Sequence, residues 1–338
     1  MVLSGHDPAE DEEFDDGLRD PTVTLKQWRK FVSGGIPQLE LMPYEKWLNL
    51  DEAAKADDVE LRIDYHSELV LVATSTVRSV TRHGRQLIML NRKEISARRN
   101  LVVSGPWATG KTTALKVLGR THELRVRARF PGEGRIPVVY VSTPPIGSPR
   151  KLAMEMARFL GLPEPRSREN ATDVAAKVCA ILRRGRCELV LIDEIHRLDS
   201  RSSGSDDMSD HIKQITEQTA ATFVYGGIDV EHSAVYSGVR GQQFAARSVL
   251  LHTDLIPLGP EWTSTVADME RALRLYQHKD GTLTGLARLI HNLTGGSISN
   301  LSHLIRLAAQ TAIIEGTELI DEETLCGILL PPTSGTVS

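Results

Sequence analysis

Six residue positions in this chain are of the types, and at the spacing, that handle a triphosphate: Gly105, Gly110, Lys111 and Thr112, and further along Asp193 and Glu194. Gly105-Pro106-Trp107-Ala108-Thr109-Gly110-Lys111-Thr112 fits G-x-x-x-x-G-K-[ST] at every fixed position, and Thr113 follows. Glycines let a loop turn its backbone N–H groups inward, and a helix N-terminus behind the loop adds a partial positive charge. Lys111 is of the right type to reach the outer phosphates, and the Thr112 hydroxyl to ligate Mg²⁺. Such a loop needs a partner that supplies a carboxylate for the metal and a second group to orient the attacking water. In Glu188-Leu189-Val190-Leu191-Ile192-Asp193-Glu194, Asp193 suits the metal and Glu194 the water.

These residues need elements to hold them. Leu101-Val102-Val103 reads as a buried strand feeding the glycine loop, and Ala114 to Leu118 as the start of a helix behind it. The apolar run 189–192 reads as a strand buried on both faces, as a parallel sheet requires. Asp193 then lies at its C-terminal end, where open α/β sheets place their ligands. Ile136 to Val141, stopped by Pro144-Pro145, is a further strand. Thr222 to Gly227 is a fourth, and Leu255-Ile256-Pro257-Leu258 a last short one. Helical patterns at 152–160 and 171–184 alternate with these strands, predicting a parallel sheet flanked by helices.

Composition sets the frame. The chain has 338 residues, 41% hydrophobic and 25% charged, as in an ordinary globular protein, with only 5% aromatic, so an aliphatic core is expected. A formal charge of −4 argues against a surface coated in nucleic-acid-binding charge but leaves room for local basic clusters, such as Arg92-Lys93, Arg98-Arg99, Arg125-Arg127-Arg129 and Arg183-Arg184-Arg186. No apolar run approaches the ~20 residues of a membrane span, and the N-terminus lacks a basic and apolar leader pattern. Cys179, Cys187 and Cys326 lack metal spacing and read as reduced, buried thiols of a cytoplasmic protein.

In chain order, residues 1–20 read as an acidic disordered tail, and 21–60, with Trp28 and Trp47, as an arm of short helices. Spacing over 61–91 predicts one helix broken near Gly84, or two helices. Residues 61–260 make the nucleotide-binding domain, with a polar loop between Asp199 and His211. Beyond Trp262 the pattern is helical only, over 267–276, 283–294, 298–315 and 321–329, giving a helical lid over 261–330 and a disordered tail over 331–338.

The order of these parts resembles an AAA+ P-loop ATPase, and within that group the TniB/TnsC family of transposition-associated ATPases. The segments that carry the resemblance are SGPWATGKTTALKVLGRTHE (104–123), IPVVYVSTPP (136–145), LVLIDEIHRL (189–198), TFVYGGIDVE (222–231), FAARSVLLHTDLIPL (244–258) and TGGSISNLSHLIRLAAQTAIIEGTELID (294–321). The resemblance implies ATP and Mg²⁺ as cofactors, a homo-oligomer in a ring or filament on double-stranded DNA, and a transposase that is recruited or licensed. It also implies an arginine from a neighbouring subunit at the nucleotide; Arg247 matches that position, with Arg240 as second choice.

This sequence departs from the pattern twice. Gly226-Gly227 stand where a polar fourth-strand residue is expected, with Asp229 the nearest polar side chain, and Gly296-Ser297-Ile298-Ser299 lacks the lid arginine. Both gaps remove electrostatic stabilisation and so predict slow hydrolysis with binding preserved. Three functions remain open: a DNA-associated ATPase of transposition, a signalling or defence ATPase acting on a protein partner without DNA, and a non-catalytic nucleotide-binding adaptor.

Overall fold

The computed structural model describes residues 22–35, 38–68, 72–145, 147–163, 170–198, 212 and 215–332. The acidic segment 1–20, the polar loop 199–211 and residues 333–338 of the tail lie outside the described residues.

Five short apolar runs form one parallel sheet: β1 (Asn100–Ser104), β2 (Val138–Ser142), β3 (Leu189–Asp193), β4 (Thr222–Gly227) and β5 (Ser248–His252), in the order β2-β3-β4-β1-β5. The three inner strands are buried along their whole length, which is why they read as continuous apolar runs. Strand β5 at the edge is partly exposed. It lies earlier in the chain than expected. Leu255–Leu258 is not a strand, because Pro257 has no N–H for a ladder and the Ile256 N–H donates to the Gly296 carbonyl in the lid instead.

The helices flank this sheet in chain order. Before it come α1 (Leu25–Ser33), α2 (Tyr44–Leu48), α3 (Glu52–Ser67) and α4 (Ser75–Asn91). Within it are α5 (Lys111–Arg129), α6 (Pro149–Phe159), α7 (Ala171–Arg184) and α8 (Gly238–Ala246). After it come α9 (Pro260–Glu270), α10 (Thr282–Gly285), α11 (Ala287–Thr294), α12 (Ile298–Ile314) and α13 (Glu322–Gly327). Caps mark several starts, with Thr24, Asp51, Thr74, Ser148, Asn170, Ser297 and Asp321 each accepting a backbone N–H of the first turn. Helix α9 begins at Pro260, earlier than the hydrophobic spacing indicated, because proline suits a first helical position.

Gly84 does not break a helix. It lies inside α4, where a Cβ would come 2.5 Å from Leu118 Cδ2, so the glycine permits close packing of α4 on α5. The interruption falls between α3 and α4.

Two apolar cores result among the described residues. One surrounds the sheet and includes Trp28 of α1, whose Nε1 donates to the buried Glu123 at 2.5 Å. The other is built by α9 to α13 around Trp262, Ile290 and Leu304. Val59 and Ile63 of α3 pack against this second core, and Arg62 of α3 donates from Nη1 to both Glu318 oxygens at 2.9 and 2.7 Å. Cys179 and Cys187 are buried thiols, whereas Cys326 is exposed, contrary to expectation, because α13 turns it to solvent.

Candidate nucleotide site

The sheet order decides how the two halves of the site meet. The glycine loop leaves β1 and Asp193 ends β3, but these strands are not neighbours, since β4 lies between them. The gap is nonetheless bridged: Thr112 Oγ1 donates to Asp193 Oδ2 at 2.6 Å beside the glycine end of β4. A Cβ on Gly226 would sit 3.0 Å from Asp193 Oδ1 and 3.1 Å from Leu115 Cδ2.

The loop is shaped by its glycines. A Cβ on Gly105 would lie 2.1 Å from the Thr253 carbonyl oxygen, so only glycine fits. Gly110 adopts φ 82° at the start of α5, conformational space that glycine enters without strain. Thr109 Oγ1 lies 3.0 Å from both Thr253 Oγ1 and the Pro106 carbonyl, pinning the loop to the end of β5. The Lys111 ammonium donates to the Gly105 carbonyl at 2.8 Å and to that of Pro106. Burial lowers the Lys111 pKa, and Glu194, Asp193 and Asp229 oppose that shift. The negative charge of these three carboxylates thus favours the charged ammonium.

Asp193 is held from several sides. Tyr140 of β2 donates its hydroxyl to Oδ2 at 3.1 Å, and the Glu194 N–H donates to Oδ1 at 2.9 Å. Burial, with Asp193 adding to it, pushes the Tyr140 hydroxyl far above its ordinary range, so it remains a donor. Lys116 lies over the Tyr140 ring at 5.1 Å. A hydroxyl and a carboxylate side by side form a hard-oxygen pair that fits Mg²⁺, an ion that keeps waters and takes few protein ligands. Glu194 leaves the strand at φ 57°, and its Oε2 is 3.2 Å from Arg197 Nη2 and 3.5 Å from His196 Nε2.

Lys111, Thr112, Thr113, Trp107, Ala108, Gly110 and Glu194 line one cleft of about 370 Å³. Its apolar wall comes from Val72, Val77, Ile228, Met269 and Ile298. The lid contributes Ser299, Ser302, His303 and Arg306, one face of α12 at helical spacing. Sequence reading missed this stripe, although the spacing 299, 302, 303, 306 could have revealed it once α12 was placed beside the loop. Ser299 holds the position of the missing lid arginine, and Arg306 lies two turns further on. Arg306 donates from Nε to the His66 carbonyl at 3.1 Å and from Nη2 to that of Ser67, tying the cleft wall to the end of α3.

Arg247 is not brought into this cleft. It caps the end of α8, its carbonyl accepts from Asn100 N–H at 2.9 Å, and its Nη1 pairs with Glu217 at 3.2 Å. Asn100 and Ser248 pair where β1 and β5 begin, whereas the glycine loop follows the other end of β1. The side chain of Arg240 lies outside the described residues. The basic clusters gather at the same far end, because α4, α5, α7 and α8 all finish there. Arg98 donates to the Thr219 carbonyl at 3.0 Å, Arg99 to that of Ala246 at 2.9 Å and Arg183 to that of Gln218 at 2.7 Å. No helix among the described residues is long and apolar enough to cross a membrane.

Comparison with known proteins agrees with this fold. The Aeropyrum pernix Orc1 protein, solved in complex with DNA, superposes with a TM-score of 0.58 at 18% identity, over 77% of this chain and 65% of that one. The Aeropyrum pernix Orc2 protein, solved with ADPNP and ADP, gives 0.58 at 15% identity over 76% of this chain and 67% of that one. Cdc6p of Pyrobaculum aerophilum gives 0.55 at 15% identity over 75% and 66%. This chain thus spans about two thirds of the length of these neighbours, and at such identities the likeness is one of fold, the AAA+ P-loop fold. No curated protein sequence matches the chain. The family model described as bacterial TniB protein matches residues 62–249, more than half of the chain and the whole of the sheet up to β5, so the chain belongs to the TniB family.

Proposed function

We propose that this protein binds ATP with Mg²⁺ and hydrolyses it slowly, and that the nucleotide state controls its assembly on double-stranded DNA and its action on a transposase. The observation that carries the nucleotide reading is the Thr112–Asp193 bond across Gly226, with Lys111 and Glu194 on the same cleft. Backbone N–H groups of residues 107–113 cradle the phosphates, and Lys111 exchanges its loop carbonyls for phosphate oxygens. Thr112 and Asp193 hold Mg²⁺, which when bound neutralises charge on the outer phosphates. Glu194 orients and deprotonates the attacking water. The glycine end of β4 and Ser299 in the lid supply no cation to the transferring phosphoryl, which supports slow turnover with affinity kept.

Residues 61–260 act in this reading as the nucleotide domain and 261–330 as the lid, with 21–60 as an arm. Arg247 stands away from its own cleft, so it would serve the nucleotide of a neighbouring copy in a ring or filament. The arginines gathered at the far end of the sheet support a DNA backbone contact. Several of them are already engaged by helix-end carbonyls and acids, which favours the second reading, a nucleotide-gated ATPase acting on a protein partner.

Lys111→Ala and Glu194→Gln test the site. Lys111→Ala is expected to weaken ATP binding, and Glu194→Gln to keep ATP bound while abolishing turnover. Parental binding and turnover in both would refute the assignment. DNA affinity measured against salt separates the two partner readings, because binding to backbone phosphates weakens steeply as salt rises.

A further inference from the structure

The place where a polar fourth-strand side chain was expected is already filled from another element. A Cβ on Gly227 would lie 2.7 Å from Val230 Cγ2, 3.0 Å from Ile195 Cγ2 and 3.2 Å from His196 Nδ1. His196 belongs to the short 3₁₀ turn Ile195–Arg197 that follows Glu194. Its ring is anchored to the end of β4, because the Ile228 N–H donates to Nδ1 at 3.1 Å. A ring nitrogen that accepts a backbone N–H carries a lone pair, so the proton of the neutral ring is on Nε2. That Nε2–H faces Glu194 Oε2 at 3.5 Å. Burial lowers the pKa of the imidazole, with Glu194 opposing and Arg197 reinforcing, which keeps the ring neutral and this tautomer in place.

We propose that His196 is the positioning residue that couples the end of β4 to the water-activating carboxylate of Glu194, a task the two glycines of β4 cannot perform. The inference rests on the reading of Glu194 given above. Ile228, whose N–H holds the ring, lines the same cleft as Lys111 and Glu194, so a terminal phosphate entering there approaches the residue to which the ring is anchored. A displacement of that backbone carries the ring with it. Shortening the 3.5 Å contact by a few tenths of an ångström makes it a hydrogen bond that sets the Glu194 carboxylate toward water. Catalytic hydrogen bonds are commonly long before substrate arrives and tighten afterwards. Arg197, at 3.2 Å from the same oxygen, is the competing partner that Glu194 must leave.

Two measurements on the full chain test this. In the first, His196→Ala and His196→Asn are compared with the parent for affinity toward a non-hydrolysable ATP analogue with Mg²⁺, melting temperature and single-turnover hydrolysis. Loss of an outer partner of this kind costs roughly tenfold to a hundredfold in rate. His196→Ala is expected to lose that much while analogue affinity stays within about threefold, the signature of positioning rather than binding. Asn keeps an acceptor near the Nδ1 position but cannot reach Glu194. It should therefore restore the melting temperature and leave the rate low. A rate restored together with the melting temperature would make His196 merely structural, and an unchanged or raised rate in His196→Ala would also overturn the proposal.

The second measurement needs no turnover. Nitrogen-15 spectra of the histidine rings should show His196 as the Nε2–H tautomer, with a shift that moves on adding the analogue but not ADP, and does not move in Glu194→Gln. No analogue-dependent movement in the parent would overturn the proposal while leaving the nucleotide site intact. Parental turnover in Glu194→Gln would remove the reading of Glu194, and the proposal with it.

Discussion

Glu318→Ala isolates the link that ties α3 to the lid. The Arg62 side chain is fully buried and that of Glu318 is 3% exposed. Their contacts of 2.9 and 2.7 Å are joined by a 2.8 Å bond from Arg62 Nε to Asp58, with the guanidinium over the Tyr276 ring at 4.9 Å. Breaking a buried ion pair from one side costs about 3–5 kcal/mol, because the remaining charge stays buried. Asp58 is still in place in the variant, so the lower end, about 3 kcal/mol, is expected. At about 2–4 °C per kcal/mol for chains of this order of size, the melting temperature should fall by about 6–12 °C. The double variant Arg62→Met/Glu318→Ala removes the stranded charge as well and should recover most of the loss. Melts of the parent, both single variants and the double variant, followed by circular dichroism, provide the comparison. A Glu318→Ala variant within 1 kcal/mol (an order-of-magnitude threshold) of the parent, or a double variant as unstable as the two singles summed, would refute the account.

Stability at acid pH should depend on His66. Burial lowers it from 6.5 to about 4, and its Nε2 accepts the Arg274 N–H, a bond that only the neutral ring can make. With the folded pKa below the unfolded one, the unfolded chain takes up the proton first. The contribution is therefore complete above about pH 6.5 and is lost as pH falls toward 4. His66→Gln, which keeps an acceptor, should flatten the slope of unfolding free energy in that window by up to about one proton. Trp107 lines the cleft and is 48% exposed, whereas Trp28 and Trp262 are fully buried, so nucleotide should change the tryptophan emission of the parent. Trp107→Phe should abolish most of that change with binding retained, and an unaltered signal in the variant would place the response elsewhere. Arg247→Ala should bind ATP like the parent and hydrolyse it more slowly. Mixing it with Lys111→Ala should restore turnover, because each copy then supplies what the other lacks, and no restoration would remove Arg247 from the neighbour's site.

Much of this architecture is legible from local pattern. A strand buried on both faces must be apolar throughout, so β1, β3 and β4 stand out as runs. A loop that wraps phosphate needs glycine at Gly105 and Gly110, and a helix start advertises itself by a capping side chain such as Ser297 or Asp321. The same local logic misplaced β5, since the apolar residues near Pro257 look like a strand until the Ile256 N–H is found bonded to the lid. It also put a helix break at Gly84, where the glycine serves packing against Leu118, a contact between residues distant in the chain.

The residue types of the site, Lys111, Thr112, Asp193 and Glu194, were thus determined by the sequence alone, because triphosphate chemistry demands those functional groups at a short, recognisable spacing. Only the tertiary structure decided what lies between and around them. Strand order is set by which apolar faces pack together, not by chain order, so β4 separates β1 from β3, and its glycine end leaves room around Asp193, which Thr112 reaches. The stripe of Ser299, Ser302, His303 and Arg306 acquires meaning only when the lid folds over the loop, and His196 only when β4 ends beside it. Contacts between elements far apart in the chain leave no periodic trace in it, and these are the contacts that set the reach and the timing of the site.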